Sequence, residues 1–279
     1  GRADGEFARL RGEVRAISTI DGEDVVQDAL AKAHAANAFS QRWLTKAAVD
    51  PYWNPNLSLA QLTPTPETDY RAQWQYLPSA VPRILARSFS KGESFFRIDS
   101  FLTASRKAGL ASECYWPQDK REPSAAELLR LAPDTVIVQH YLKNSQLAAL
   151  QDWHTSPDRP FVVYTIDDLM TNMAQSNSLR LNIPANARTR LKFALHRCDR
   201  MVVSTEFLAE SYRHFIDDIR VVPNRLVQET WLPLQSRKRT RKKPRIGWAG
   251  GRTHWDDLQL LKETIEKTRG EADWVFFGM

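Results

Sequence analysis

DTVIVQHYLKNSQLAALQDWHTSPDRPFVVYTIDD, residues 134–168, decides how this chain folds. Asp134 to Gln139 contains the apolar run Val136-Ile137-Val138 and reads as a buried strand. Gln146 to Trp153 reads as a helix, and Pro160 to Ile166 as another strand, rich in Val and Tyr. Strand, helix and strand in immediate succession make a βαβ unit, and the crossover helix forces its two strands to run parallel.

Outward from that unit the same alternation repeats. Upstream, Arg83 to Ala86 is a short strand, Phe95 to Ala108 a helix stopped by Gly109, Cys114 to Trp116 a strand candidate and Ala125 to Leu131 a helix. Downstream, residues 184–197 form a helix, Arg200 to Ser204 a strand, Thr205 to Phe215 a helix and Ile219 to Val222 a closing strand. Helices between strands throughout predict an α/β fold with a doubly wound parallel sheet. A fresh strand at Arg245 to Ala249, a helix from Asp256 to Thr268 and a last strand at 274–277 predict one βαβ of a second Rossmann-like unit. Before the sheet, residues 23–48 read as helical with a break at Ala38-Phe39-Ser40; Trp43, Leu44, Ala47 and Ala48 share a face of the second helix, which Ser40 can cap. The prolines of Asp50 to Asn56 stop it, and 57–80 is a proline-rich connecting arm. The domains expected are therefore 1–80, a helical extension and arm; 81–235, a Rossmann-like domain; and 236–279, a basic linker and the start of a second such domain. The chain opens without Met and stops after an apolar strand and Gly278, which reads as a segment of a longer polypeptide, truncated at its C-terminal side.

With 42% hydrophobic and 10% aromatic residues, the composition excludes disordered, collagen-like and coiled-coil chains. No apolar run approaches the roughly 18 residues of a membrane span, and no apolar signal core opens the chain. Cys114 and Cys198 have no metal-ligand spacing and make no disulfide framework, so the expected compartment is a reducing one, the cytoplasm. The net charge of +6 is local: Arg237, Lys238, Arg239, Arg241, Lys242, Lys243 and Arg245 carry more than the whole excess. Such a run reads first as a solvated linker and second as peripheral contact of 237–245 with an anionic inner-membrane surface, where each Lys or Arg contributes roughly 1 kcal/mol. Nucleic acid is not an expected partner, because no aromatic residues interleave with the run.

Ligands of open α/β sheets bind beyond the carboxyl ends of the strands, so the residues there are the candidates. Gly92 lies in a loop before a helix that carries Arg97, where backbone N–H groups can face an anion; an ordinary turn is the alternative. His140 follows the buried strand and can transfer a proton, bind a hydroxyl or serve as a structural hydrogen-bonder. Asp167 and Asp168 end the Pro160 to Ile166 strand; adjacent carboxylates repel when both are buried, so one faces a polar cleft, Asp167 ahead of Asp168. Gly250 and Gly251 let a backbone approach a ligand, Arg252 can grip a phosphate, and Thr253 and His254 follow. No metal site is expected.

Taken in order, CDRMVVSTEFLAE (198–210), IRVVPNRL (219–226) and KPRIGWAGGRTHWDDLQLL (243–261) resemble the GT-B glycosyltransferases of family 4. PRILARSFSKGESFFRIDSFLTASRKAGL (82–110) is similar to the first strand, Gly loop and helix of that family's acceptor-side domain, and PFVVYTIDDL (160–169) to the strand that commonly ends in an active-site His. DPYWNPNLSL (50–59) is similar to bacterial glycosyltransferases of surface-polysaccharide synthesis. The resemblance implies transfer of a sugar from a nucleotide-diphosphate sugar to a carbohydrate or lipid-linked acceptor, with retention, without metal and with no cofactor beyond the donor. Asp167 and His140 would be catalytic; Gly92, Arg97, Asp168, Asn224, Gly250, Gly251, Arg252, Thr253 and His254 would bind substrate. Arg225 stands where the family has Gly, and Asp167 where many members have His. These departures favour the alternative, an inactive glycosyltransferase-like scaffold or glycan-binding module.

Overall fold

The computed structural model describes residues 38, 42–46, 48, 54, 57, 63–66, 80–88, 94–116, 118, 121–170, 186–235, 243–251 and 254–278. Its centre is a six-stranded, wholly parallel sheet in the order β2-β1-β3-β4-β5-β6, made of β1 (Arg83–Arg87), β2 (Ser112–Cys114), β3 (Thr135–Gln139), β4 (Phe161–Ile166), β5 (Arg200–Val203) and β6 (Ile219–Val221). The connecting helices are α1 (Ser100–Lys107), α2 (Ala125–Leu131), α3 (Asn144–His154), α4 (Ala187–Leu195) and α5 (Glu206–Tyr212). This is a Rossmann-like α/β fold.

Local chemistry places the helix starts. Ser124 and Glu127 close a capping box on α2, each bonding the other's backbone N–H, and the Thr205 hydroxyl accepts from the Leu208 N–H at the start of α5. Alternation then builds the core. Val136 and Val138 of β3, Val162, Tyr164 and Ile166 of β4, and Met201 and Val203 of β5 form one buried cluster with Leu128, Leu150, Trp153, Leu191 and Leu208 from the helices. Burying each of these large side chains contributes about 1.5–3 kcal/mol.

Three expectations for this domain are revised. The predicted helix from Phe95 begins as a π-helical turn, Phe95–Asp99, in which the Ser100 N–H reaches back to the Phe95 carbonyl. The second strand is Ser112–Cys114 rather than 114–116, because its register against Arg83–Leu85 sets its length. In the N-terminal helix Leu44 and Ala48 enter the core, while Trp43 stays exposed under Arg42 and Lys46. That helix is therefore docked on the sheet domain, and Arg130 Nε donates to the Ala48 carbonyl at 2.7 Å. The remainder of 23–48, including Ser40 and Ala47, lies outside the described residues. Within the arm, Leu57 and Pro66 form one antiparallel bridge.

Beyond β6 a short helix, α6 (Gln228–Trp231), precedes a two-stranded parallel sheet of β7 (Arg245–Ala249) and β8 (Asp273–Phe277). The single predicted crossover helix is two, α7 (Trp255–Leu260) and α8 (Lys262–Thr268), broken at Leu261. Among the described residues no helix is long and apolar enough to cross a membrane.

Candidate functional site

The strand order itself creates a crevice. β1 pairs with β2 on one side and β3 on the other, so the crossovers leave in opposite directions and the carboxyl ends of β1 and β3 flank a topological switch point. Arg87 ends β1 there, and His140 is the first residue past β3.

His140 has φ 53°, in the left-handed region, a conformation that costs a non-glycine residue about 1–3 kcal/mol and concentrates at functional sites. Its ring is buried, with Nε2 lying 3.2 Å from Asp167 Oδ1 at the end of the adjacent β4. An imidazole Nε2–H can donate across this contact, which would fix the orientation of the Asp167 carboxyl group. The side chain of Asp167 retains 18% exposure, enough for the carboxylate to meet a ligand from the crevice. Asp168 is exposed as a residue, yet desolvation of its carboxyl and the charge of Asp167 raise its pKa, with His140 and His254 opposing. The turn that holds both acids is pinned by Tyr212, whose hydroxyl accepts from the Met170 N–H and donates to the Asp168 carbonyl, both at 2.9 Å. Burial pushes that phenol up to about 12.

Arg97 sits in the π-helical turn, 6% exposed. Its Nη1 donates to the Val222 carbonyl at 2.6 Å and to Asn224 Oδ1 at 2.9 Å, and Nη2 to Thr165 Oγ1 at 3.4 Å. One guanidinium thus ties the helix after β1 to the exits of β4 and β6. Desolvation lowers its pKa and the Asp167 charge opposes that shift. Because Oδ1 of Asn224 is occupied by Arg97, the amide group of this exposed residue is left to face outward.

A second polar cluster supports the β3 exit from below. Arg87 Nε donates to Glu122 Oε2 at 2.8 Å, and the Tyr141 hydroxyl donates to the same oxygen. Burial acts against the Arg87 charge, but Glu122 outweighs it and raises the guanidinium pKa. Arg87, Glu122, Tyr141 and Tyr212 were not anticipated as parts of the site. One signal was available: Arg83, Leu85 and Arg87 alternate, so both arginines share the buried face of β1.

The glycine loop lies at the end of β7. A Cβ on Gly250 would fall 2.5 and 2.7 Å from the Trp248 ring, so this position is glycine to admit that ring; Gly251 has open space around it. The His254 N–H donates to the Gly251 carbonyl, and its Nδ1 lies 2.9 Å from Asp257 Oδ2. Gly92, Arg252 and Thr253 lie outside the described residues, as does most of the basic run. Of the sequence candidates, the structure brings together His140, Asp167, Asp168, Arg97 and Asn224, while His254 stays with its own loop, against Gly251 and Asp257.

Among the described residues no group of three or more His, Cys, Asp or Glu side chains is arranged to hold a metal ion. Burial raises the pKa of both thiols, Cys114 and Cys198. No protein-family model and no curated protein sequence matches this chain.

Proposed function

We propose that the chain is a glycosyltransferase of GT-B type that moves a sugar from a nucleotide-diphosphate donor to a glycan or lipid-linked acceptor. The observation that carries this reading is the buried His140–Asp167 pair beside the switch point, with Asp168 next to it. Two parallel-sheet units, each with a loop at the carboxyl ends of its strands, suit a donor and an acceptor bound on different units. In the proposed reaction the bond from the anomeric carbon to the β-phosphate oxygen breaks, and a bond to the acceptor hydroxyl oxygen forms. The hydroxyl proton leaves with the phosphate. Asp167, oriented by His140, accepts a hydrogen bond from a hydroxyl of the acceptor or reacting sugar. The outward amide of Asn224 donates to a neighbouring oxygen. The Gly250-Gly251 backbone with Arg252 would stabilise the departing diphosphate. Retention and independence from metal belong to the same proposal and rest on the resemblance alone.

The test is titration calorimetry and nucleoside-diphosphate release with UDP- and GDP-hexoses, on this chain and on the chain with its natural flanking sequence. Asp167→Asn should lower turnover about 100-fold while leaving the melting temperature unchanged. No binding and no release with any of these donors would refute the proposal and favour the scaffold reading.

A further inference from the structure

The segment leaving β6 exposes apolar side chains that do not join the core. Leu226 is 59% exposed, Trp231 46%, Leu232 76% and Leu234 66%. α6 has no buried residue, and its backbone bonds among the described residues are local, Thr230 and Trp231 N–H to the Val227 carbonyl, Leu232 N–H to Gln228 and Leu234 N–H to Trp231. None of the four side chains belongs to the core cluster or packs against it. Single exposed leucines are ordinary, but three leucines and a tryptophan within nine residues form a patch of the kind that marks an interaction surface.

Charge selects the occupant. The basic run begins at Arg237, three residues beyond Leu234 in the sequence. Glu229, the one acid within 226–234, lies 3.8 Å from Lys107 Nζ; from Thr230 to Trp255 there is no Asp or Glu, against seven Lys and Arg between 237 and 245. A second copy of the chain docking here by a two-fold axis would bring two such runs together, which like-charge repulsion opposes. Leucines at the patch, with only one aromatic ring, are not a stacking platform for bases. Trp and Leu flanked by Lys and Arg match the two requirements of a bilayer interface: apolar groups that seat at the head-group boundary, and cations that neutralise its charge. We propose that residues 226–234 are a membrane-contact surface that seats in the interface of an anionic bilayer, assisted by the charge that follows in the chain. The proposal stands apart from the sugar chemistry, because none of these residues is placed at the strand-end site.

Vesicle co-sedimentation tests it, using the intact chain with phosphatidylcholine vesicles and with vesicles containing about 30% phosphatidylglycerol. The expected result is at least roughly a 10-fold preference for the anionic vesicles at about 0.1 M salt, lost at about 1 M, where the screening length falls to about 3 Å. The double substitution Leu232→Glu and Leu234→Glu should cut binding by roughly 10-fold or more. It should leave the melting temperature unmoved, since both side chains are already in water. Replacing the seven Lys and Arg by Gln should remove the preference for anionic lipid. No vesicle binding, equal binding to neutral and anionic vesicles, or undiminished binding by the Leu232/Leu234 variant each overturns the proposal. Concentration-dependent dimerisation or RNA binding through the same residues, without vesicle binding, does so as well.

Discussion

Glu122→Gln should destabilise the sheet domain far more than a surface charge change does. The Glu122 side chain is 12% exposed and that of Arg87 4%, so the pair is removed from water almost completely. Glu122 Oε2 accepts from Arg87 Nε at 2.8 Å and from the Tyr141 hydroxyl, while Oε1 meets Arg87 Nη2 at 3.3 Å. Gln can keep one oxygen for the first two donors, but its amide N–H then points at Nη2, and the guanidinium loses its counter-charge. Removing one partner of a buried pair typically costs about 3–5 kcal/mol. For a domain of this size that corresponds to a fall in melting temperature of roughly 6–20 °C. The assay is urea and thermal unfolding of the wild type, Glu122→Gln, Arg87→Met and the double variant. Because the ion pair, rather than either residue alone, carries the effect, Arg87→Met should recover part of the loss in the Glu122→Gln background. A Glu122→Gln loss below about 1 kcal/mol would refute the reasoning, since it would mean that water or another group already compensates Arg87. Losses that simply add in the double variant would refute it as well. Tyr141 follows His140 directly, so the same substitution should also loosen the His140–Asp167 contact.

The acid limb of stability should depend on Asp199. Desolvation acts to raise its carboxyl, but bonds from Arg159 and the Val162 N–H outweigh it and set the pKa below the ordinary value. A depressed carboxyl contributes stability above its unfolded pKa of about 3.9 and loses that contribution as pH falls through the folded value. Asp199→Asn should therefore cost roughly 1 kcal/mol at neutral pH, with the gap to wild type closing in acid; urea midpoints that stay equally spaced down to pH 2 would contradict this. In the second unit, Gly250→Ala should cost about 1–2 kcal/mol because the new Cβ displaces the Trp248 ring, while Gly251→Ala should stay within about 0.5 kcal/mol. Equal thermal shifts for the two alanine variants would show that the Trp248 contact is not what selects glycine at 250.

Much of the candidate site was legible because it lies at strand ends, and strand ends follow from local pattern. The apolar run 136–138 and the Val- and Tyr-rich stretch 160–166 end beside His140 and Asp167, so both residues stood out before any coordinates. Capping is equally local: Ser124 with Glu127, and Thr205 with the Leu208 N–H, act within one turn of chain. The π-helical turn at Phe95–Asp99 left no such trace, because one altered hydrogen bond does not disturb the apolar period around it. Trp43 shares a helical face with Leu44 and Ala48 by spacing, yet only Leu44 and Ala48 are buried against the sheet domain, because which part of a broad apolar face docks is set by the surface it meets.

The sequence by itself determined the alternation of strands and helices, the parallel sense of the sheet and the residues that follow β3 and β4. These depend on periodicity, crossover length and turn chemistry, all of which act over a few residues to a few turns. Only the tertiary structure decided that β1 lies between β2 and β3, which makes the exits of Arg87 and His140 the switch point. It also decided that Arg97 reaches Asn224, 127 positions away, and that Glu122 serves both Arg87 and Tyr141. Strand order and distant polar pairs arise from competition among long-range pairings, in which each residue's partner is chosen by the packing of all the others, and so no short stretch of chain records them.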